Sequence, residues 1–207
     1  DRYYYLRSCI RQNFFPGSEK AFVRILRQEL GRDLFDDPVH TSCTGIGYHS
    51  DIVPLETIMT VVARQFALAS EAGYENLAVS CITSFGIYTE ILETWQEFPE
   101  LEAKVREHLF RATGREFRKP KNVSHASDII FHHREAIRQR AAYLLVNRRT
   151  GEPLRGVEHI GCHYAKIFPK EGIGGVEFPY VLAGRIEAWG GQVVAYAERR
   201  PCWGFGF

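Results

Sequence analysis

Tyr3-Tyr4-Tyr5-Leu6-Arg7-Ser8-Cys9 is a short β-prone run that ends at a cysteine, and the loop Asn13-Phe14-Phe15-Pro16-Gly17 follows it. Ser18 is placed to cap a helix, the apolar residues Phe22, Ile25, Leu26 and Leu30 recur at helical spacing, and Gly31 is the stop signal. Working outward, the same order returns. An extended segment over residues 34–39 delivers the loop Ser42-Cys43-Thr44-Gly45-Ile46-Gly47. Pro54 then sits near the first turn of a helix carrying Ile58, Met59, Val62, Phe66 and Ala69, ended by Gly73. Leu77-Ala78-Val79-Ser80 reads as a short buried strand that ends at Cys81. Residues 84–147 have helical periodicity throughout, with Pro99 starting one helix, Gly114 ending it and residues 115–122 forming a basic connector; this is a helical insert. Strand character returns over 157–161, ending at Cys162, and is followed by a Gly-rich loop, a helix through Val181, Ile186 and Trp189, and a strand over 192–197 leading to Cys202. Strands alternating with helices predict an α/β chain with a largely parallel sheet.

In such sheets ligands bind at the carboxyl ends of the strands. Cys9, Cys81, Cys162 and Cys202 fall at or just past a predicted strand end, and Cys43 lies in the comparable loop, so their placement favours a site over a core. The rest of the composition is neutral on function. The 207 residues hold 26 Lys plus Arg against 25 Asp plus Glu, a net charge of +1, which leaves no electrostatic footprint for nucleic acid or an anionic membrane. No apolar run approaches a membrane span, and Asp1-Arg2-Tyr3-Tyr4-Tyr5 lacks the layout of a signal peptide, so the chain reads as cytoplasmic with no membrane span. Five cysteines, an odd number in a chain large enough to need no staples, argue against a secreted disulfide framework. With no initial Met and with Cys202-Trp203-Gly204-Phe205-Gly206-Phe207 at the other end, the chain reads as a fragment at both ends.

The cysteines belong to an internal repeat. Phe15 and Pro16 follow Cys9 at +6 and +7, and Phe168 and Pro169 follow Cys162 at +6 and +7. Cys43-Thr44-Gly45-Ile46-Gly47 matches Cys202-Trp203-Gly204-Phe205-Gly206 as Cys-x-Gly-x-Gly. Cys9 and Cys43 are 34 apart whereas Cys162 and Cys202 are 40 apart, and the excess has one location. Gly31 and Gly190 each lie 12 before their loop cysteine, while Pro16 to Gly31 is 15 and Pro169 to Gly190 is 21. Two units are expected, 1–147 with the insert and 148–207, the second cut short. Their matching parts, residues 1–50 and 156–207, should superpose by about half a turn, bringing the two Cys-x-Gly-x-Gly loops to a common cleft. Cys81 follows Cys43 by 38 residues, so its counterpart would fall at about position 240, past Phe207.

Three thiolates converging at strand-end loops suit a soft metal, either an iron–sulfur cluster or zinc. Glycines beside them permit close backbone approach and leave amide N–H groups to face an anionic centre. His40, His49, His159 and His163 flank the cysteines and are candidates for a fourth ligand. His132-His133, the basic stretch 115–121 and Arg199-Arg200 are solvated faces or a docking patch.

On these residues the chain resembles the B subunit of heterodisulfide reductase and the wider family of proteins built from paired cysteine-rich CCG domains. Cys9-Ile-Arg-Gln-Asn-Phe-Phe-Pro16-Gly17-Ser-Glu-Lys resembles the family's opening element, Ser42-Cys43 its middle element, residues 76–84 its third, and His159-Ile-Gly-Cys162-His163 the start of its second domain. The family pattern in each domain is a lone Cys, then Cys-Cys-Gly, then Cys-x-x-Cys. The resemblance implies two pseudo-symmetric Rossmann-like CCG units and, in each, a non-cubane iron–sulfur cluster that reduces a disulfide. Electrons would arrive from a C-like iron–sulfur partner and an A-like flavin partner of the same complex. Three positions depart from the pattern: Thr44 and Trp203 stand where the second Cys of each pair belongs, and Ser84 replaces the last Cys of Cys81-Ile-Thr-Ser84. The positions that match are Cys9, Cys43 and Cys81 in one unit and Cys162 and Cys202 in the other. Such a site could hold a cubane 4Fe-4S cluster with one iron ligated otherwise, a zinc ion, or nothing.

The expected function is therefore an iron–sulfur redox subunit of a heterodisulfide-reductase-like complex, passing electrons to a disulfide or thiol-type acceptor or to another redox subunit. The alternative is a non-catalytic structural subunit of such a complex with degenerate or zinc-bound cysteine sites. A thiol-dependent hydrolase or transferase with one catalytic Cys near a His, such as Cys162 with His163, is the weaker third reading, because neighbours in sequence point apart and no nucleophile elbow occurs.

Overall fold

The computed structural model describes residues 1–37, 39, 45–49, 51–160, 173–175 and 179–197, apart from the side chains of residues 46 and 49. The chain divides into two compact units, residues 1–27 with 31–125, and residues 28–30 with 126–207.

The first unit is built on a parallel sheet of four strands among the described residues, β1 (Arg2–Leu6), β2 (Asp33–Asp36), β3 (Asn76–Val79) and β4 (Asn122–His125), in the order β2-β1-β3-β4. Every pairing is parallel, with Tyr4 opposite Phe35 on one side and Leu77 on the other, and Leu77 opposite Val123. The central strands carry the composition of a sheet covered on both faces: Tyr4, Tyr5 and Leu6 of β1 and Leu77, Ala78 and Val79 of β3 are all buried. The parallel α/β class expected from the alternation of elements is the one observed.

Helices supply the crossovers. The first is α1 (Cys9–Phe14) and α2 (Pro16–Arg24), the latter running into a π turn over Ile25–Glu29. The second is α3 (Gly45–His49) and α4 (Leu55–Glu71), the third α5 (Ile82–Glu97) and α6 (Pro99–Thr113). The predicted stripe of α4 is the buried one, Ile58, Met59, Val62, Phe66 and Ala69. Phe66 meets the fully buried Trp95 of α5 edge-on at 6.2 Å between ring centroids, and Phe117 closes the group at 5.3 Å from Trp95. Rings of this size bury about 150–250 Å² each and dominate a core of this kind.

Several signals act where the sequence placed them. Pro99 opens α6, and Gly114 closes it in the left-handed conformation at φ +68°, a region a side chain disfavours. Two local readings change. Ser18 lies inside α2 because Pro16, whose φ is already helical, starts the helix three residues earlier, with Phe15 at the cap position. The span 84–147 is not helical throughout: β4 interrupts it. β4 forms by pairing with β3, and the Asn122 side-chain amide donates to Asn76 Oδ1 at 2.8 Å, a non-local contact that periodicity does not register. The basic connector before β4 is ion-paired at intervals, Arg115 to Glu71, Lys119 to Glu102 and Lys121 to Glu75.

The second unit contains, among the described residues, α7 (Ala126–His132), α8 (Arg134–Arg140), α9 (Val181–Ala188) and a two-stranded parallel sheet of β5 (Arg155–Gly156) and β6 (Gln192–Val193). Gly184 allows α9 to approach α7, since a Cβ there would lie 2.5 Å from Cε2 of Phe131. The strands expected over 157–161 and 192–197 are thus displaced or shortened. Past Gly156 the chain bonds to side chains and a helix end instead of a ladder: the Glu158 carbonyl accepts from the Tyr196 hydroxyl at 2.7 Å, and the Glu158 carboxylate accepts from the Ala183 backbone N–H at 2.7 Å.

Candidate metal-ligating thiol site

β1 and β3 are neighbours in the sheet, with Leu6 opposite Val79, and each runs straight into a cysteine-bearing turn at its carboxyl end. After Leu6 come Arg7, Ser8 and Cys9; after Val79 come Ser80 and Cys81. Parallel neighbours lie about 4.8 Å apart, so residues 72 positions apart in sequence, Cys9 and Cys81, emerge from adjacent strand ends. Cys9 is the first residue of α1 and Cys81 is the N-cap residue of α5. Both are half-buried and neither is in a disulfide. Ser84, where the family pattern has a cysteine, is buried in the first turn of α5.

A buried carboxylate joins the two turns. Glu19, on α2 and only 7% exposed, accepts from the Ser8 backbone N–H at 3.3 Å and the Ser80 hydroxyl at 2.8 Å through Oε1, and from the Tyr5 hydroxyl through Oε2. Burial, and then the Glu19 carboxylate, push the Tyr5 hydroxyl well above its ordinary range, so it remains a donor. Ser8 is itself buried and caps α1, its Oγ accepting from the Arg11 N–H at 3.2 Å. The Arg11 guanidinium crosses to the other turn and donates to the Ser80 carbonyl at 3.3 Å, steadied by Ser18 Oγ at 3.0 Å. The Ser80 N–H reaches the Leu6 carbonyl at 3.4 Å. On the outer side, Arg7 forms a two-point pair with Asp36 of β2 at 2.5 and 2.7 Å.

Of the cysteines singled out in the sequence, Cys9 and Cys81 are brought to neighbouring strand ends, while Cys43, Cys162 and Cys202 lie outside the described residues. So do His40, His163, Thr44, Trp203 and the His49 side chain. His159 is described in the second unit, half-buried, with Nδ1 3.3 Å from the Tyr196 hydroxyl. Among the described residues no group of three or more His, Cys, Asp or Glu is placed to hold a metal ion. Glu19, Arg11 and Ser80 were not anticipated. The available signal was Glu19 itself, three residues before Phe22 and so on the buried face of α2, a position where an acidic residue needs partners.

The parallel α/β sheet thus brings two half-buried thiols, Cys9 and Cys81, to adjacent strand carboxyl ends, the edge at which ligands bind in sheets of this class. No family model matches the chain. It is similar to the B subunit of the ferredoxin:CoB-CoM heterodisulfide reductase of Methanosarcina acetivorans, 28% identical over 210 residues that cover 97% of this chain. The resemblance carried by the cysteine repeat thus extends along almost the whole sequence, and the chain spans 64% of that relative's length. Among solved structures, a hypothetical protein from Helicobacter pylori matches with a TM-score of 0.59 and 13% identity over 96% of this chain and 34% of that one, a likeness of fold.

Proposed function

We propose that this chain is the iron–sulfur redox subunit of a heterodisulfide-reductase-like complex. The observation that carries the reading is the arrival of Cys9 and Cys81 at neighbouring strand ends of one parallel sheet, in a chain similar to a heterodisulfide reductase B subunit over 97% of its length. Cys9, Cys43 and Cys81 would hold one cluster, and Cys162 and Cys202 would contribute to a second. The donor set fits: thiols are the ordinary ligands of iron–sulfur clusters, and half-burial limits solvent access. When bound, the cluster supplies one-electron transfer. The acceptor would be a disulfide, whose reduction to two thiols takes two electrons and two protons, or a further redox subunit. The donor would be a partner with iron–sulfur or flavin centres. Ile10, Phe14 and Phe15, 48%, 71% and 62% exposed on and just after α1, give the Cys9 helix the apolar surface that favours such a partner.

The departures at Thr44, Trp203 and Ser84 favour a second reading, a structural subunit whose cysteine sites are empty or hold zinc. Anaerobic purification separates the two. Absorption at about 400 nm with iron and acid-labile sulfide in near-equal amounts is expected of the redox subunit. Colourless protein with zinc or no metal overturns it in favour of the structural one. No helix of the described residues is long and apolar enough to cross a membrane.

A further inference from the structure

We infer that Glu19 is a positioning residue that sets the separation of Cys9 and Cys81, an assignment that deepens, and rests on, their reading as shared ligands. Three observations converge on it. One carboxylate oxygen takes hydrogen bonds from both turns, the Ser8 N–H one residue before Cys9 and the Ser80 hydroxyl one residue before Cys81. The other oxygen takes the Tyr5 hydroxyl from within β1, which fixes the carboxylate against the sheet. All four residues, Tyr5, Ser8, Glu19 and Ser80, are less than 10% exposed, so water does not offer substitute partners.

The geometry explains why a carboxylate occupies this place. A buried acceptor serving three donors needs several lone pairs on one small group, which a carboxylate has and a hydroxyl lacks. Each donor comes from a different segment, so the group couples turns that the sheet alone would leave joined by one long backbone contact, Ser80 N–H to the Leu6 carbonyl at 3.4 Å. Arg11 braces the same junction from outside through the Ser80 carbonyl. Loss of the carboxylate leaves Ser8 and Ser80 joined by these longer contacts, so the two turns loosen against each other and each carries its neighbouring cysteine with it. Gln at this position keeps the length, keeps one oxygen for Ser8 and Ser80, and can donate its amide to the Tyr5 oxygen.

The test uses the full chain, reduced and metal-free, and a short bifunctional thiol alkylator, dibromobimane, with the Cys9–Cys81 linked peptide measured by mass spectrometry. Wild type and Glu19→Gln should link at similar rates, Glu19→Ala should fall about tenfold, and Ser80→Ala, which removes one arm, should fall by less. Val105→Ala, a core truncation on α6 outside the network, serves as a stability control and should link at the wild-type rate. Absence of the linked peptide in wild type, wild-type linking in Glu19→Ala, or an equal fall in Val105→Ala overturns the assignment; should Glu19→Ala not fold, Ser80→Ala decides it alone. Iron content is measured on each anaerobic preparation before its metal is removed. Iron-free wild type with Glu19-dependent linking removes the metal reading and leaves the positioning role. Equal iron and equal linking in all variants does the reverse.

Discussion

Tyr5 sits fully buried in β1 with its hydroxyl on Glu19 and hydrogen-bonded to the Ser80 side chain, and those contacts decide what its removal does. Tyr5→Phe keeps the ring against Phe22, whose centroid is 5.2 Å away, and deletes only the hydroxyl, the donor to Glu19 included. A buried carboxylate that loses a donor without gaining water costs about 1–3 kcal/mol. Urea unfolding should therefore show a lower midpoint at unchanged slope; a midpoint equal to wild type would mean that Glu19 does not rely on this donor. The strand-end positions of Cys9 and Cys81 were legible in the sequence because each cysteine closes a short β-prone run, a local signal. Glu19 was not, because its partners come from Ser8 and Ser80, 11 and 61 residues away, and nothing local distinguishes it from a solvated helix glutamate except its place beside Phe22.

At the level of elements, what the sequence made plain were the boundaries with local causes. Pro99 and Gly114 bracket α6, and Pro54 and Gly73 bracket α4, because fixed φ and left-handed φ are properties of single residues. β4 was hidden: Asn122-Val123-Ser124-His125 has little intrinsic strand character and owes its conformation to β3. The connector leading to it is held to α6 by Glu102, which pairs with Arg106 at 2.6 Å and Lys119 at 2.9 Å, while Arg106 lies over the Phe117 ring at 4.0 Å. Burial alone pushes the Glu102 carboxyl up, but Lys119 and Arg106 together outweigh it and hold its pKa below the ordinary value. A depressed carboxylate pKa contributes stability that is present above the ordinary value and lost as pH falls through the folded one. Thermal unfolding should thus show wild type above Glu102→Gln at pH 7, with the gap closing on acidification below about pH 4. A gap that persists into acid would assign the difference to packing and not to charge.

For the whole molecule, the proposal of one thiol site per unit makes iron a counting tool. Cys9 and Cys81 leave neighbouring strands of the first unit, and Cys162 and Cys202 belong to the second. If each unit holds its own cluster, Cys81→Ser removes the iron of the first unit and spares the other, and Cys162→Ser does the opposite. The losses then add in the double variant, as independent sites require. Serine is the suitable substitute because it keeps the volume while offering a far weaker, harder ligand to iron. The measurement is iron and sulfide per chain for the two single variants and the double, prepared anaerobically side by side. Partial, complementary losses support separate sites. Complete loss from either single substitution overturns them, since one site then depends on cysteines from both units. Loss from Cys81→Ser with none from Cys162→Ser confines the cluster to the first unit, which contradicts the paired arrangement and leaves the departure at Trp203 as the residue-level cause.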